Sequence, residues 1–309
     1  MFPIALSTMW LRDRHESLGE FFDAGRAVGF DLFELNHFVT VDLVRQASLP
    51  VGQIHAVHIP CPTQPHSAGA QVSALDREER QLAVDAAKAS IDLAQQIGAR
   101  GIILHPGEVD LNPNLEKEMR RLYDQGKQNT SQYQDLKAEL TELRARHVEP
   151  YLDATMWSVE RLAGYADAAG VRLGLENRYH FHEIPLPDEM DRLLQEFAGP
   201  VGFWFDVGHA YILEALGFVD HKEWLGFNGN LVGMHLHDVQ VVSQSEADVP
   251  QTGVGSRLLD HMMPGTGVVD YAEILPPPND SVLLTCEFSW EHPPEQIQAG
   301  REHLLSYLS

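Results

Sequence analysis

Eight short apolar runs, separated by helical patterns, constrain this 309-residue chain more than any other feature. They cover residues 4–8, 31–35, 54–59, 101–104, 171–175, 201–205, 231–236 and 281–286. Runs of this length and composition read as buried strands. Between them lie helical patterns at 18–28, 41–47, 152–169, 187–197, 211–216, 221–225, 270–274 and 295–308. A longer helix opens at Asp76 and Glu79, read as a capping box, and closes at Gly98. Strand and helix alternating at this length predict a single (β/α)8 TIM barrel spanning 1–309. The competing architecture is an open doubly wound sheet. Against it, no Gly-x-Gly-x-x-Gly or Walker loop follows the first strand, and the reactive residues come from many strands rather than one switch point.

One region does not follow the alternation. Residues 110–150, after the fourth strand, are rich in Lys, Arg, Glu and Gln. They are read as a helical insertion, with two helices in 115–147 broken near 126–130. The insertion is either a solvated ornament or a lid, because loops that follow strands form the mouth of a barrel. Residues 239–266 read as a long polar loop.

Charge excludes one class of partner. Lys and Arg number 22 against 45 Asp and Glu, a formal charge of -23. Duplex DNA is held largely through basic contacts to phosphate. The loops 182–186 and 239–250 carry no Lys or Arg cluster, and Gln240, Gln244, Glu246 and Asp248 stand in the second. No duplex nucleic acid partner is expected, and a small molecule is. No apolar run approaches the roughly 20 residues of a membrane span. The first residues lack a basic region, so no signal peptide is expected. Cys61 and Cys286 make no disulfide framework, and a cytoplasmic location is expected.

The strand ends carry the chemistry. In a barrel they point into one mouth, and here they bring His58, His105, Glu176, Asp206, His209, His235, His261 and Glu287. A single histidine at a strand end is more often structural, and His37 and His55 are read that way. Eight nitrogen and oxygen donors together are a different matter. Three carboxylates in one mouth repel strongly unless divalent cations neutralise them. Donors of this kind, without sulfur, suit Zn, Mn or Fe(II).

With these motifs assembled, the chain resembles the xylose isomerase-like barrel superfamily, also called apurinic endonuclease family 2. That superfamily spans sugar isomerases and epimerases at one end and endonuclease IV-type phosphodiesterases at the other. The resemblance implies a core metal held by Glu176, by Asp206 in Phe-Asp-Val-Gly-His, by His235 in Met-His-Leu-His-Asp, and by Glu287. His58 in Val-His-Ile-Pro and His105 in Leu-His-Pro-Gly resemble the endonuclease-type histidines that join Glu176 around a second ion. His209 and His261 resemble ligands of a third. That third site expects Asp two residues before His261, where Leu259 stands. Asp260 is expected to point elsewhere, and Asp238 is the substitute. The epimerase branch uses an Arg where Val241 stands and a Glu where His182 stands.

The expected activity is hydrolysis of a small phosphorylated or polyol substrate by two or three ions. Glu176 would bridge two of them, and Glu287 would be a ligand or orient the attacking water. The alternative is a mononuclear sugar or sugar-phosphate isomerase or epimerase with Glu176 and Glu287 as acid/base pair. A third possibility is a ligand-binding barrel without catalysis. Arg178 and His182 are the expected substrate contacts, with Arg178 alternatively bracing Glu176 or Asp206.

Overall fold

The computed structural model describes residues 3–242, 257–276 and 281–308. Its centre is a closed barrel of eight parallel strands. We number them β1 (Ile4–Ser7), β2 (Leu32–Leu35), β3 (Ile54–His58), β4 (Gly101–Leu104), β5 (Arg172–Glu176), β6 (Val201–Asp206), β7 (Leu231–Leu236) and β8 (Leu283–Cys286). Each strand lies beside its successor in the chain, and β8 closes on β1. The predicted barrel and its eight runs are therefore all present. Parallel register sets Asp206 of β6 level with His235 of β7, and Thr285 of β8 also pairs with His235. The strand ends consequently finish at one level.

Helices between the strands follow local signals. Asp76 accepts from the amides of Glu78 and Glu79, and the helix Arg77–Ile97 ends at Gly98 with φ 74°. A left-handed residue at that position closes a helix most easily when it lacks a Cβ. The helix Ser131–Ala169 ends the same way at Gly170.

Two expectations are corrected. The insertion does have two helices, Pro113–Asp124 and one beginning at Ser131. The second does not stop before residue 152, because Ser131–Ala169 is one helix with Pro150 inside it. A proline removes one hydrogen bond and normally kinks or ends a helix. Here burial on both sides of it, at Leu140, Arg144, Val148, Leu152 and Ala154, holds the helix together. Residues 239–266 are also not simply a loop. Asp238–Val241 pairs antiparallel with Leu258–Met262. Gln244, Glu246 and Asp248 lie outside the described residues.

The barrel interior below the mouth is filled by Ala56, Ile103, Trp204, Val232 and Leu283. Trp204 fits because its neighbours are glycines. A Cβ on Gly174 would stand 3.0 Å from its ring, and one on Gly233 2.5 Å. The Trp204 ring lies 5.2 Å from His235, edge on, so this plug also supports the site above it. Trp204→Ala should cost about 3–5 kcal/mol, read as a lower denaturant midpoint at unchanged slope.

Candidate metal centre at the barrel mouth

The strand ends converge on a cavity of about 480 Å³. That is within the usual size range for small-molecule sites. Its floor is built from His58, His105, Glu176, His209, Asp260, His261 and Glu287. Its walls include His37, Phe38, Tyr179 and Trp290. His37, expected to be structural, therefore faces the cavity. His55 is structural as expected: it is buried and its Nε2 lies 2.8 Å from Thr285 Oγ1.

The core set is Glu176, Asp206, His235 and Glu287. His235 Nδ1 is buried and has no hydrogen-bond partner. Around it lie Glu287 Oε2 at 3.2 Å, Asp206 Oδ2 at 3.5 Å and Glu176 Oε1 at 3.6 Å. An orphaned ring nitrogen facing carboxylates from three other strand ends offers the kind of nitrogen and oxygen donors that could hold a divalent ion. The other nitrogen, Nε2, lies 3.1 Å from Glu34 Oε2. A carboxylate there fixes the tautomer and directs the Nδ1 lone pair at the centre. Asp206 is further fixed by Asn177, whose side chain bridges the β6 end from both sides at 2.8 Å.

Burial opposes a charge on His235, but with no ion bound the surrounding carboxylates draw a proton onto it instead and hold it well above the ordinary histidine range. Burial pushes the carboxyl of Glu287 up, but His235 and His261 pull it down to about 2. Burial likewise opposes ionisation of Glu176, and His105 and His235 outweigh it, leaving it well below the usual range. Both carboxylates are thus ionised at neutral pH.

The second set also comes together. Glu176 Oε2 is 3.1 Å from His58 Nε2 and 3.1 Å from His105 Nε2. It differs from the core set in one respect: Arg178 Nη1 lies 2.9 Å from His105 Nε2. In the third set, donor atoms of His209, Asp260 and His261 lie within 4.8 Å of one another. Here the expectation about Asp260 is corrected. His261 has φ 55°, a backbone region rare for residues with a Cβ. Asp260 is 2% exposed, with Oδ1 3.2 Å from His237 Nδ1 and Oδ2 3.2 Å from His261 Nδ1. Asp238, the expected substitute, is fully used elsewhere. Its oxygens accept from the amides of Val239, Gly265, Gly267 and Val269.

Two residues escape a reading of the sequence, Glu34 and His237, and both are buried, as is the misread Asp260. A signal exists for His237, because it stands two residues after His235, just past the end of β7, where the alternation of a strand would point it the same way. Its Nε2 lies 3.0 Å from Asp206 Oδ1, and its ring stacks on His261 at 4.3 Å.

His182 is not in the cavity lining. Its Nδ1 bonds Glu116 Oε2 at 3.0 Å. Glu116 is on the first insertion helix, and also receives Arg120 and His180. The insertion thus clamps the segment after β5, and no residue of 109–150 lines the described cavity. Burial lowers His182, but Glu116 raises it above its ordinary 6.5. Burial raises Glu116, but His180, His182 and Arg120 bring it well below 4.5. A raised histidine contributes stability below 6.5 that is lost as pH rises through its folded value. A depressed carboxyl contributes stability above 4.5 that is lost as pH falls through its folded value. Docking should therefore be tightest between about pH 4.5 and 6.5 and loosen on the alkaline side. Limited proteolysis of the insertion across pH should show this, and Glu116→Gln should flatten the profile.

A closed parallel barrel with its reactive groups at the strand C-termini is the architecture of a TIM-barrel enzyme. The chain belongs to the xylose isomerase-like TIM barrel family, which matches residues 22–307. No curated protein matches it. Among solved structures it is similar to a D-tagatose 3-epimerase-like protein, at 16% identity and TM-score 0.62, covering 99% of this chain and 97% of that one. The apo 3-keto-D-glucoside 4-epimerase from E. coli gives 15% identity and TM-score 0.64, covering 99% and 100%. A Thermus thermophilus protein soaked with zinc chloride gives 20% and 0.58, covering 99% of both chains. At these identities the likeness is one of fold. No described helix is long and apolar enough to cross a membrane.

Proposed function

We propose that this chain is a divalent-metal-dependent isomerase or epimerase acting on a small sugar or polyol in the barrel mouth. The observation that carries the reading is the orphaned Nδ1 of His235 ringed by Glu176, Asp206 and Glu287. These four residues would hold the ion. When bound, a divalent cation there would polarise a substrate carbonyl.

The remaining chemistry falls to the chain. Glu176 and Glu287 approach His235 Nδ1 from β5 and β8. One carboxylate takes the proton from the carbon beside the carbonyl. The other, protonated from water, delivers a proton to the neighbouring carbon or to the opposite face, and the first then gives its proton up to water, so both end as they began. Phe38, Tyr179 and Trp290 line the same cavity and supply apolar surface beside the proposed substrate position. The two epimerase-named relatives support this reading. Val241 and His182, where the epimerase branch has Arg and Glu, argue for a substrate other than theirs.

Hydrolysis by two or three ions is the second reading. It is favoured by Glu176 Oε2 lying between His58 and His105, and by the His209, Asp260 and His261 set. One experiment separates the two: incubate the metal-loaded protein in D2O with a panel of ketoses and, separately, of sugar phosphates. Deuterium entering carbon without phosphate release supports isomerisation. Phosphate release without exchange supports hydrolysis. We expect no cleavage of an abasic-site duplex, and metal-dependent nicking lost in Glu287→Gln would overturn that.

A further inference from the structure

The second ligand set contains a cation of its own. Arg178 Nη1 lies 2.9 Å from His105 Nε2 and 3.5 Å from Glu176 Oε1. A guanidinium has donors only, so His105 Nε2 must be the acceptor in that bond. A ring nitrogen has one lone pair, and that lone pair is also what a metal ion would take. An N–H of Arg178 and an ion cannot both occupy it.

Nor is Arg178 free to leave. Its Nε donates to Glu183 Oε1 at 2.9 Å, and both side chains are 12% exposed. The other oxygen of Glu183 accepts from the amide of His180 at 2.9 Å. Arg120, from the insertion, donates to the carbonyl of Tyr179 at 2.7 Å. The segment carrying Arg178 is therefore held at residues 179, 180 and 183. Moving the guanidinium outward would strand the buried carboxylate of Glu183, and leaving it in place beside an ion would set two like charges against each other.

The core set has no such competitor, since His235 Nδ1 has no bonded donor.

We propose that Arg178 is a built-in cation standing in for the metal ion that His58, His105 and Glu176 would otherwise bind. The centre then works with one ion fewer than its ligands offer. This rests on the reading of the core set as a metal site, because Glu176 is shared. It also deepens that reading: with that position held by a fixed guanidinium, no ion shares Glu176 with the core position to activate water between them, and proton transfer beside the core position is the chemistry favoured there.

Metal stoichiometry tests it without any substrate. The full chain is titrated with Zn2+ alone and the tight equivalents are counted. Arg178→Met should take up one equivalent more than the wild type, and adding His105→Ala should remove that equivalent. Because Arg178→Met leaves Glu183 unpaired, Arg178→Met with Glu183→Gln is made alongside. In the otherwise native chain, His105→Ala should leave the count unchanged. A wild-type count that falls by one in His105→Ala overturns the proposal. So do Arg178 variants that gain nothing. Failure of the core reading appears separately, as a wild-type count that does not change in Asp206→Ala.

Discussion

Replacing His235 by alanine should empty the core position. Its Nδ1 is the only imidazole nitrogen in that set, and Glu176, Asp206 and Glu287 alone would be three buried carboxylates in mutual repulsion. We expect elemental analysis to find one metal equivalent fewer in His235→Ala and in Asp206→Ala, with catalysis abolished in both. Glu34→Gln is the graded version. It keeps the ligand but weakens the group that orients it, 3.1 Å from Nε2. Loss of such a partner typically lowers metal affinity by about 10–100-fold, read by competition with a chelator. Full occupancy in His235→Ala and Asp206→Ala would remove the assignment and the function built on it.

Glu287→Gln should have the next largest effect. The carboxylate sits 3.2 Å from His235 Nδ1 and 3.7 Å from His261 Nε2, 4% exposed. Its amide analogue keeps the shape but can neither take nor return a proton. Loss of a positioned acid or base costs about 10²–10⁴-fold in turnover. We expect a loss at the upper end, because Glu287 is also a proposed ligand. The discriminating readout is exchange of carbon-bound hydrogen with D2O, which should fall in step with turnover. Exchange that survives while turnover is lost would assign the proton step elsewhere.

Much of this site is legible in the chain. The eight apolar runs and the polar residues at their ends are enough to place His58, His105, Glu176, Asp206, His209, His235, His261 and Glu287 at one mouth. The reason is topological: in a parallel barrel every strand C-terminus faces the same way, so sequence position translates directly into location. The core motifs in β5 to β8 carry strand and ligand in the same few residues.

What the sequence could not decide was anything that depends on which groups meet across elements. Glu34 looks like an ordinary carboxylate in an apolar strand until β2 and β7 face each other across the barrel. Asp260 reads as turned away until the strand Leu258–Met262, paired with Asp238–Val241, and the left-handed backbone of His261 turn it inward. His182 falls where a substrate contact is expected, yet the first insertion helix supplies Glu116 and draws it out of the cavity. Arg178 reads as a substrate contact or a brace; it does pair with Glu176, and its distances to His105 and Glu183 are what carry the proposal that it stands in a metal's place. Local pattern thus determined the fold and the donor set, because strand period and barrel topology are properties of short segments. Tertiary packing decided the charge balance and the free lone pairs of that set, because hydrogen bonds between residues far apart in sequence exist only once the barrel has closed.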